Sequence, residues 1–124
     1  MGAGGWPARQ ALAAALLAAC AAGAPAQSVE RGRQLYETRC GACHSVDANR
    51  VGPMHQGVLG RRAGSVPGFD YSPALAHAGF RWDRARLLAW LTDPEALVPG
   101  QKMGYRLEQA QDREDVVAYL ATLK

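Results

Sequence analysis

The chain has 124 residues, 14 of them Lys or Arg and 11 Asp or Glu, for a formal charge of +3. That length fits one domain. With basic residues nowhere interleaved with aromatics along a stripe, the modest charge excludes a nucleic-acid binder, and no apolar run is long enough to span a bilayer.

The start reads as an export segment. Arg9 supplies a positive n-region, Ala11 to Ala19 is an unbroken run of Ala and Leu, and Ala24–Pro25–Ala26 offers an A-x-A cleavage site. Cleavage there predicts a signal peptide over residues 1–26 and a mature domain over 27–124. Leu17–Ala18–Ala19–Cys20 also matches a bacterial lipobox, in which Cys20 is acylated and residues 21–27 form a short tether. Both readings export the domain. The soluble form is carried forward, with the lipid anchor at Cys20 as its alternative.

Ser28 to Arg39 predicts a helix with Ser28 as N-cap and Val29, Gly32 or Arg33, Tyr36 and Cys40 at helical spacing. Gly32 in its middle points to close approach of another helix, since a mid-helix Gly otherwise costs about 1 kcal/mol against Ala.

Cys40–Gly41–Ala42–Cys43–His44 follows directly. Two cysteines three apart with histidine next form the c-type haem attachment signature. Residues three apart on a helical turn share a face, so both thiols reach one porphyrin edge and His44 turns inward as an axial ligand. A zinc site lacks a second CxxC or an HxxxH, and a thioredoxin-like pair lacks its βαβ pattern. A domain of this size is only marginally stable alone, and a haem plate adds the apolar surface it lacks.

Residues 46–68 carry Gly52, Gly57, Gly60, Gly64 and Gly68 with little periodicity, which predicts a long wrapping loop of the kind that is normally functional. Ser72–Pro73 to Ala78–Gly79 is punctuated as a short helix, with Ser at N-cap, Pro at N1 and Gly at C′. Asp83 caps a longer one to about Thr92, with Leu87, Leu88, Trp90 and Leu91 apolar, and Asp93–Pro94 begins a turn or short helix through Leu97. Val98–Pro99–Gly100 forces irregular backbone before Met103. The last helix is predicted over Asp112 to Leu123, with Asp112, Glu114 and Asp115 in its first turn and Lys124 at its end, which suits the helix dipole. With no strand run, the expectation is an all-α domain of four or five helices and long loops around one covalent haem.

The candidates for a second iron ligand are Met54, Met103, His55 and His77. Met54 directly follows Pro53, whose carbonyl is expected to accept the His44 imidazole N–H, so it sits on the wrong face. Met103 lies in a Pro/Gly-rich loop free to cross the opposite face and is the expected ligand.

These residues resemble the class I c-type cytochromes of the mitochondrial cytochrome c type and their soluble bacterial relatives. Cys40–Gly41–Ala42–Cys43–His44, Gly52–Pro53, Gly57, Gly60–Arg61, Gly68–Phe69–Asp70–Tyr71, Trp82 and Pro99–Gly100–Gln101–Lys102–Met103 all fall in family order. The resemblance implies thioethers at Cys40 and Cys43, iron ligation by His44 and Met103, orientation of His44 by Pro53, and contact of Arg61, Tyr71 and Trp82 with the inner propionates. It also implies that Gly32 and Tyr36 meet Val117 and Leu120 where the first and last helices cross, and that Tyr105 sits by the exposed haem edge, where the family usually has Phe. His55 stands where the family often has Leu, Trp90 where a Tyr commonly lies near the Met ligand, and Gln101 where a usual Thr holds a propionate. The loop after His44 is a few residues shorter than usual.

His/Met ligation favours ferrous iron and raises the reduction potential. With both axial positions filled, the expectation is a one-electron carrier in the periplasm rather than an enzyme. It would take electrons from a cytochrome bc complex or a dehydrogenase and pass them to a terminal oxidase, reductase or photosynthetic centre, as a monomer that docks briefly. Arg50, Arg61, Arg62, Lys102 and Arg106 near the haem, against Asp112, Glu114 and Asp115 in the last helix, give a charge asymmetry expected to steer that docking.

Overall fold

The computed structural model describes residues 1–5 and 26–124. Most of the expected leader, Cys20 included, lies outside the described residues. The chain forms α1 (Val29–Leu35), a π-helical segment (Tyr36–Cys40), α2 (Pro73–Ala76), α3 (Arg84–Thr92), α4 (Pro94–Leu97) and α5 (Ala110–Leu120). No strand is present among the described residues, only an isolated bridge between Arg62 and Arg81.

The caps explain the boundaries. Ser28 accepts from Arg31 N–H, Ser72 from Leu75 N–H, and Asp83 from Arg86 N–H. Asp93 closes α3 in extended backbone and its carboxylate accepts from Ala96 N–H, opening α4, with Pro94 in the first turn. α2 is shorter than expected: His77 is its C-cap, so Gly79, at φ 78°, lies beyond the C′ position.

The first helix continues into five residues of π-helix, where Gly41 N–H reaches back to Tyr36 O at 3.0 Å. Such wide turns are rare and cluster at functional sites; this one ends on Cys40.

The last helix starts at Ala110 and stops at Leu120, earlier at both ends than its acidic residues predict. Gln109 provides no side-chain cap, and Arg113 turns back on the carbonyls of Leu107 (2.7 Å) and Glu108 (2.8 Å). At the other end, Leu123 O accepts from Gly57 N–H and Lys124 O from Gln56 Nε2, so the chain terminus is held by the loop rather than by further helix.

α1 crosses α5 at Gly32, where a Cβ would stand 2.5 Å from the carbonyl carbon of Asp115 and closer still to its oxygen. Beside that crossing Asp115 is buried and accepts from Ser28 N–H (2.8 Å), Arg31 (2.7 Å) and Gln111 (3.0 Å), while Arg31 also pairs with Asp112. The core continues through Leu107, Val116, Val117 and Leu120 to Leu87, Leu91, Trp82 and Trp90.

Loop 46–68 turns at Gly57, Gly60, Gly64 and Gly68, all at φ between 70° and 88°, where only glycine is unstrained. It is laced to the segment before α3 by Gly60 N–H to Trp82 O, Trp82 N–H to Arg61 O and Ala63 N–H to Phe80 O. The loop thereby becomes one wall of the cavity that α3, α5 and the 98–107 segment enclose.

Candidate haem site

Cys43 N–H and His44 N–H both return to Cys40 O, at 3.1 and 2.9 Å, which folds the five-residue motif into one tight turn. Cys40 is half-buried and Cys43 exposed. Burial, with the neighbouring Cys43 thiol second, pushes the Cys40 thiol up to about 11. The carbonyls of this turn are capped by Arg50, whose guanidinium donates to Gly41 O (2.7 Å), Ala42 O (3.3 Å) and His44 O (3.2 Å).

His44 Nδ1–H donates to Pro53 O at 2.9 Å, which fixes the tautomer and leaves Nε2 as a bare lone pair. Burial foremost holds this imidazole below the usual histidine range, although the Pro53 bond opposes it; the neutral ring is the form that binds a metal. Gly52 makes the room: a Cβ there would stand 2.5 Å from both ring nitrogens of His44.

His55 stacks on His44, with ring centroids 4.1 Å apart and planes at 22°. Its Nδ1 shares a 2.9 Å hydrogen bond with Tyr36 Oη. Burial, then the charge on His44 and on Arg61, pushes its pKa down to about 3, so it is a neutral packing group. Burial likewise raises the Tyr36 phenol above its ordinary value.

One cavity of about 570 Å³ takes in Cys40, Cys43, His44, Pro53, Arg61, Tyr71, Trp82, Trp90, Met103 and Tyr105 together. Its volume is of the size that cofactor sites have, about 300–1,000 Å³. The α3 and α5 walls, Leu87, Leu91, Val116 and Leu120, are apolar. Trp82 and Trp90 meet edge to face, centroids 5.3 Å apart. Tyr71 Oη accepts from Val66 N–H, and its own proton remains to donate.

The donor set fits a haem. Arg61 Nε is buried without a partner, and burial chiefly holds its guanidinium below the ordinary arginine range. An unpaired buried donor is costly, and a carboxylate is its natural complement. Among the other candidate ligands, His55 lines the cavity but Met54 and His77 do not; His77 is exposed and donates to Pro73 O.

Five residues are engaged otherwise than their sequence position implies. Gln101 does not line the cavity; its amide turns outward to Glu95 at 3.2 Å. The acidic pole is not free. Asp112 and Asp115 are buried against Arg31, and Glu114 pairs with Arg84. On the basic side Arg106 pairs with Asp93 at 3.0 Å, so of the five basic residues near the haem Arg50, Arg62 and Lys102 are exposed with no carboxylate partner among the described residues. The contacts that the motif pattern did not foresee are the Arg50 cap on the turn's carbonyls, the Tyr36–His55 bond and the room that Gly52 leaves for His44. Gly52 stood in the Gly52–Pro53 pair, but its role against the His44 ring left no signal beyond that adjacency.

A small all-α domain with a CxxCH turn set on the wall of a deep, mostly apolar cavity defines a protein built around a covalently attached haem. The chain belongs to the cytochrome c family, whose model matches residues 29–124. It is 40% identical over 115 residues to a cytochrome c2 of Rhodopseudomonas palustris, covering 79% of this chain and 100% of the relative. It is 45% identical over 96 residues to the cytochrome c2 of Rhodomicrobium vannielii, covering 74% and 76%. Among solved structures, cytochrome cH from Methylobacterium extorquens superimposes with a TM-score of 0.73 at 38% identity, covering 77% of this chain and 98% of that one. The ferricytochrome c2 from Rhodopseudomonas palustris gives 0.74 at 37%, covering 79% and 100%. Membership makes the chain an electron carrier rather than an enzyme, with one covalent haem c and its iron.

Proposed function

We propose that residues 27–124, freed of a signal peptide over residues 1–26, form a monomeric periplasmic one-electron shuttle. Cys40 and Cys43 hold the haem by thioethers, and His44 and Met103 are its axial ligands. A bound haem c supplies the iron that alternates between ferric and ferrous states. Pro53 keeps the His44 nitrogen aimed by holding the opposite N–H, and Gly52 leaves the ring room to stand. Arg61, Tyr71 and Trp82 offer donors to the propionates, while Trp90 and Tyr105 close the wall near Met103 and exclude water.

The observation that carries this reading is the His44–Pro53 bond: it presents a bare imidazole nitrogen to the same cavity that Met103 lines. Two fixed ligands leave the chain no open position for substrate, so donor and acceptor meet it only at the surface. The donor would be a cytochrome bc complex or a dehydrogenase, and the acceptor a terminal oxidase, reductase or photosynthetic centre. No helix among the described residues is long and apolar enough to cross a membrane, and a lipid on Cys20 is the alternative tether.

A redox titration followed optically tests the assignment. The ferric protein should show a methionine–iron charge-transfer band that Met103→Ala abolishes, with a lowered potential. A pigment that washes out in acidified solvent would overturn the thioethers, and an unchanged Met103→Ala spectrum would overturn the ligand. Mass spectrometry of the mature N-terminus decides between Gln27 and an acylated Cys20.

A further inference from the structure

We propose that Glu95 is a positioning residue for Met103, clamping the front of the loop that presents it; this rests on Met103 being the second iron ligand. Glu95 lies in α4. One of its oxygens accepts from Gly100 N–H at 2.8 Å and the other from Gln101 Nε2 at 3.2 Å. Beyond that point the chain is untethered: no backbone N–H from Lys102 to Arg106 donates to another described residue. The next anchors are Leu107 N–H on Leu91 O at 2.8 Å and the Arg106–Asp93 ion pair at 3.0 Å. Met103 thus lies second in a five-residue span whose front end is held by that carboxylate together with the Gln101 N–H bond to Val98 O at 3.1 Å.

Gln101 carries a second sign of the clamp. Its Oε1 is buried without a partner, a costly arrangement. A carboxylate accepts and never donates, so Glu95 dictates which end of the amide faces it and leaves the carbonyl orphaned. The same contact turns Gln101 away from the cavity, where its sequence position would otherwise direct it.

Releasing the front anchor raises the fraction of molecules in which Met103 is off the iron, and an added ligand binds in proportion to that fraction. Imidazole is the probe, titrated into ferric holoprotein. Glu95→Ala should tighten apparent imidazole binding about fivefold, the equivalent of about 1 kcal/mol for surface hydrogen bonds. Glu95→Gln, which keeps one acceptor for Gly100, should fall between. Far-UV denaturation of the same variants reads any general loosening.

Wild-type imidazole affinity in Glu95→Ala, whatever its denaturation midpoint, would overturn the clamp while Met103→Ala still binds imidazole tightly. If Met103→Ala also matched wild type, the ligand assignment itself would fall, and the clamp with it.

Discussion

Gly52 approaches the imidazole of His44 so closely that a Cβ there would collide with the ring's Cε1. Gly52→Ala should therefore push His44 off its bond to Pro53, with an overpacking cost of about 1–3 kcal/mol. The expected outcome is a reduced haem-to-polypeptide ratio and a perturbed absorption spectrum in what matures. Normal yield and spectrum would mean that the ring has slack the contact does not reveal.

Gly32 gives a sharper contrast of sign. In an exposed helix, Ala in place of Gly stabilises by about 1 kcal/mol. Here the added methyl would meet the backbone of Asp115 on α5, so Gly32→Ala should instead lower stability by about 3 kcal/mol. Guanidinium unfolding of the holoprotein decides it, and a gain in midpoint would refute the helix crossing.

Gly32 was legible from sequence because it breaks a local rule, and so were the caps at Ser28, Ser72–Pro73, Asp83 and Asp93–Pro94, each of which acts within four residues. The haem motif was legible because its chemistry needs fixed spacing. Asp115 was not. An acid early in a helix satisfies the dipole rule, and nothing nearby marks its partners Ser28 and Arg31, which lie in the first helix. The His55–Tyr36 bond and the Arg50 cap are likewise made between segments that sequence alone does not bring together. The π-helical turn before Cys40 has the periodicity of an ordinary helix to within one residue, too little to see.

Tyr36 and His55 act as a unit, joined by one hydrogen bond and an edge-to-face ring contact at 5.4 Å. Tyr36→Phe should cost about 1 kcal/mol by leaving the His55 nitrogen unpaired. In a His55→Leu background the same change should cost almost nothing. A double-mutant cycle by denaturation reads the difference, and purely additive effects would show that the bond contributes no stability.

Asp115 sets an acid limit. Burial alone would raise its carboxyl, but the Ser28 N–H, Arg31 and Gln111 together outweigh that and hold it below its ordinary value of 3.8. A carboxyl lowered in the folded state adds stability that is complete above the unfolded value. That contribution disappears as pH falls through the folded one. The α1–α5 brace should therefore weaken only below about pH 4, and neutral or alkaline pH should leave it intact. Asp115→Asn keeps an acceptor for Ser28 but loses the charge opposite Arg31. It should unfold more easily at pH 7 and show a shallower acid limb than wild type. Parallel limbs in a stability profile from pH 7 to pH 2 would assign the acid sensitivity to other groups and reduce Asp115 to a neutral hydrogen-bond acceptor.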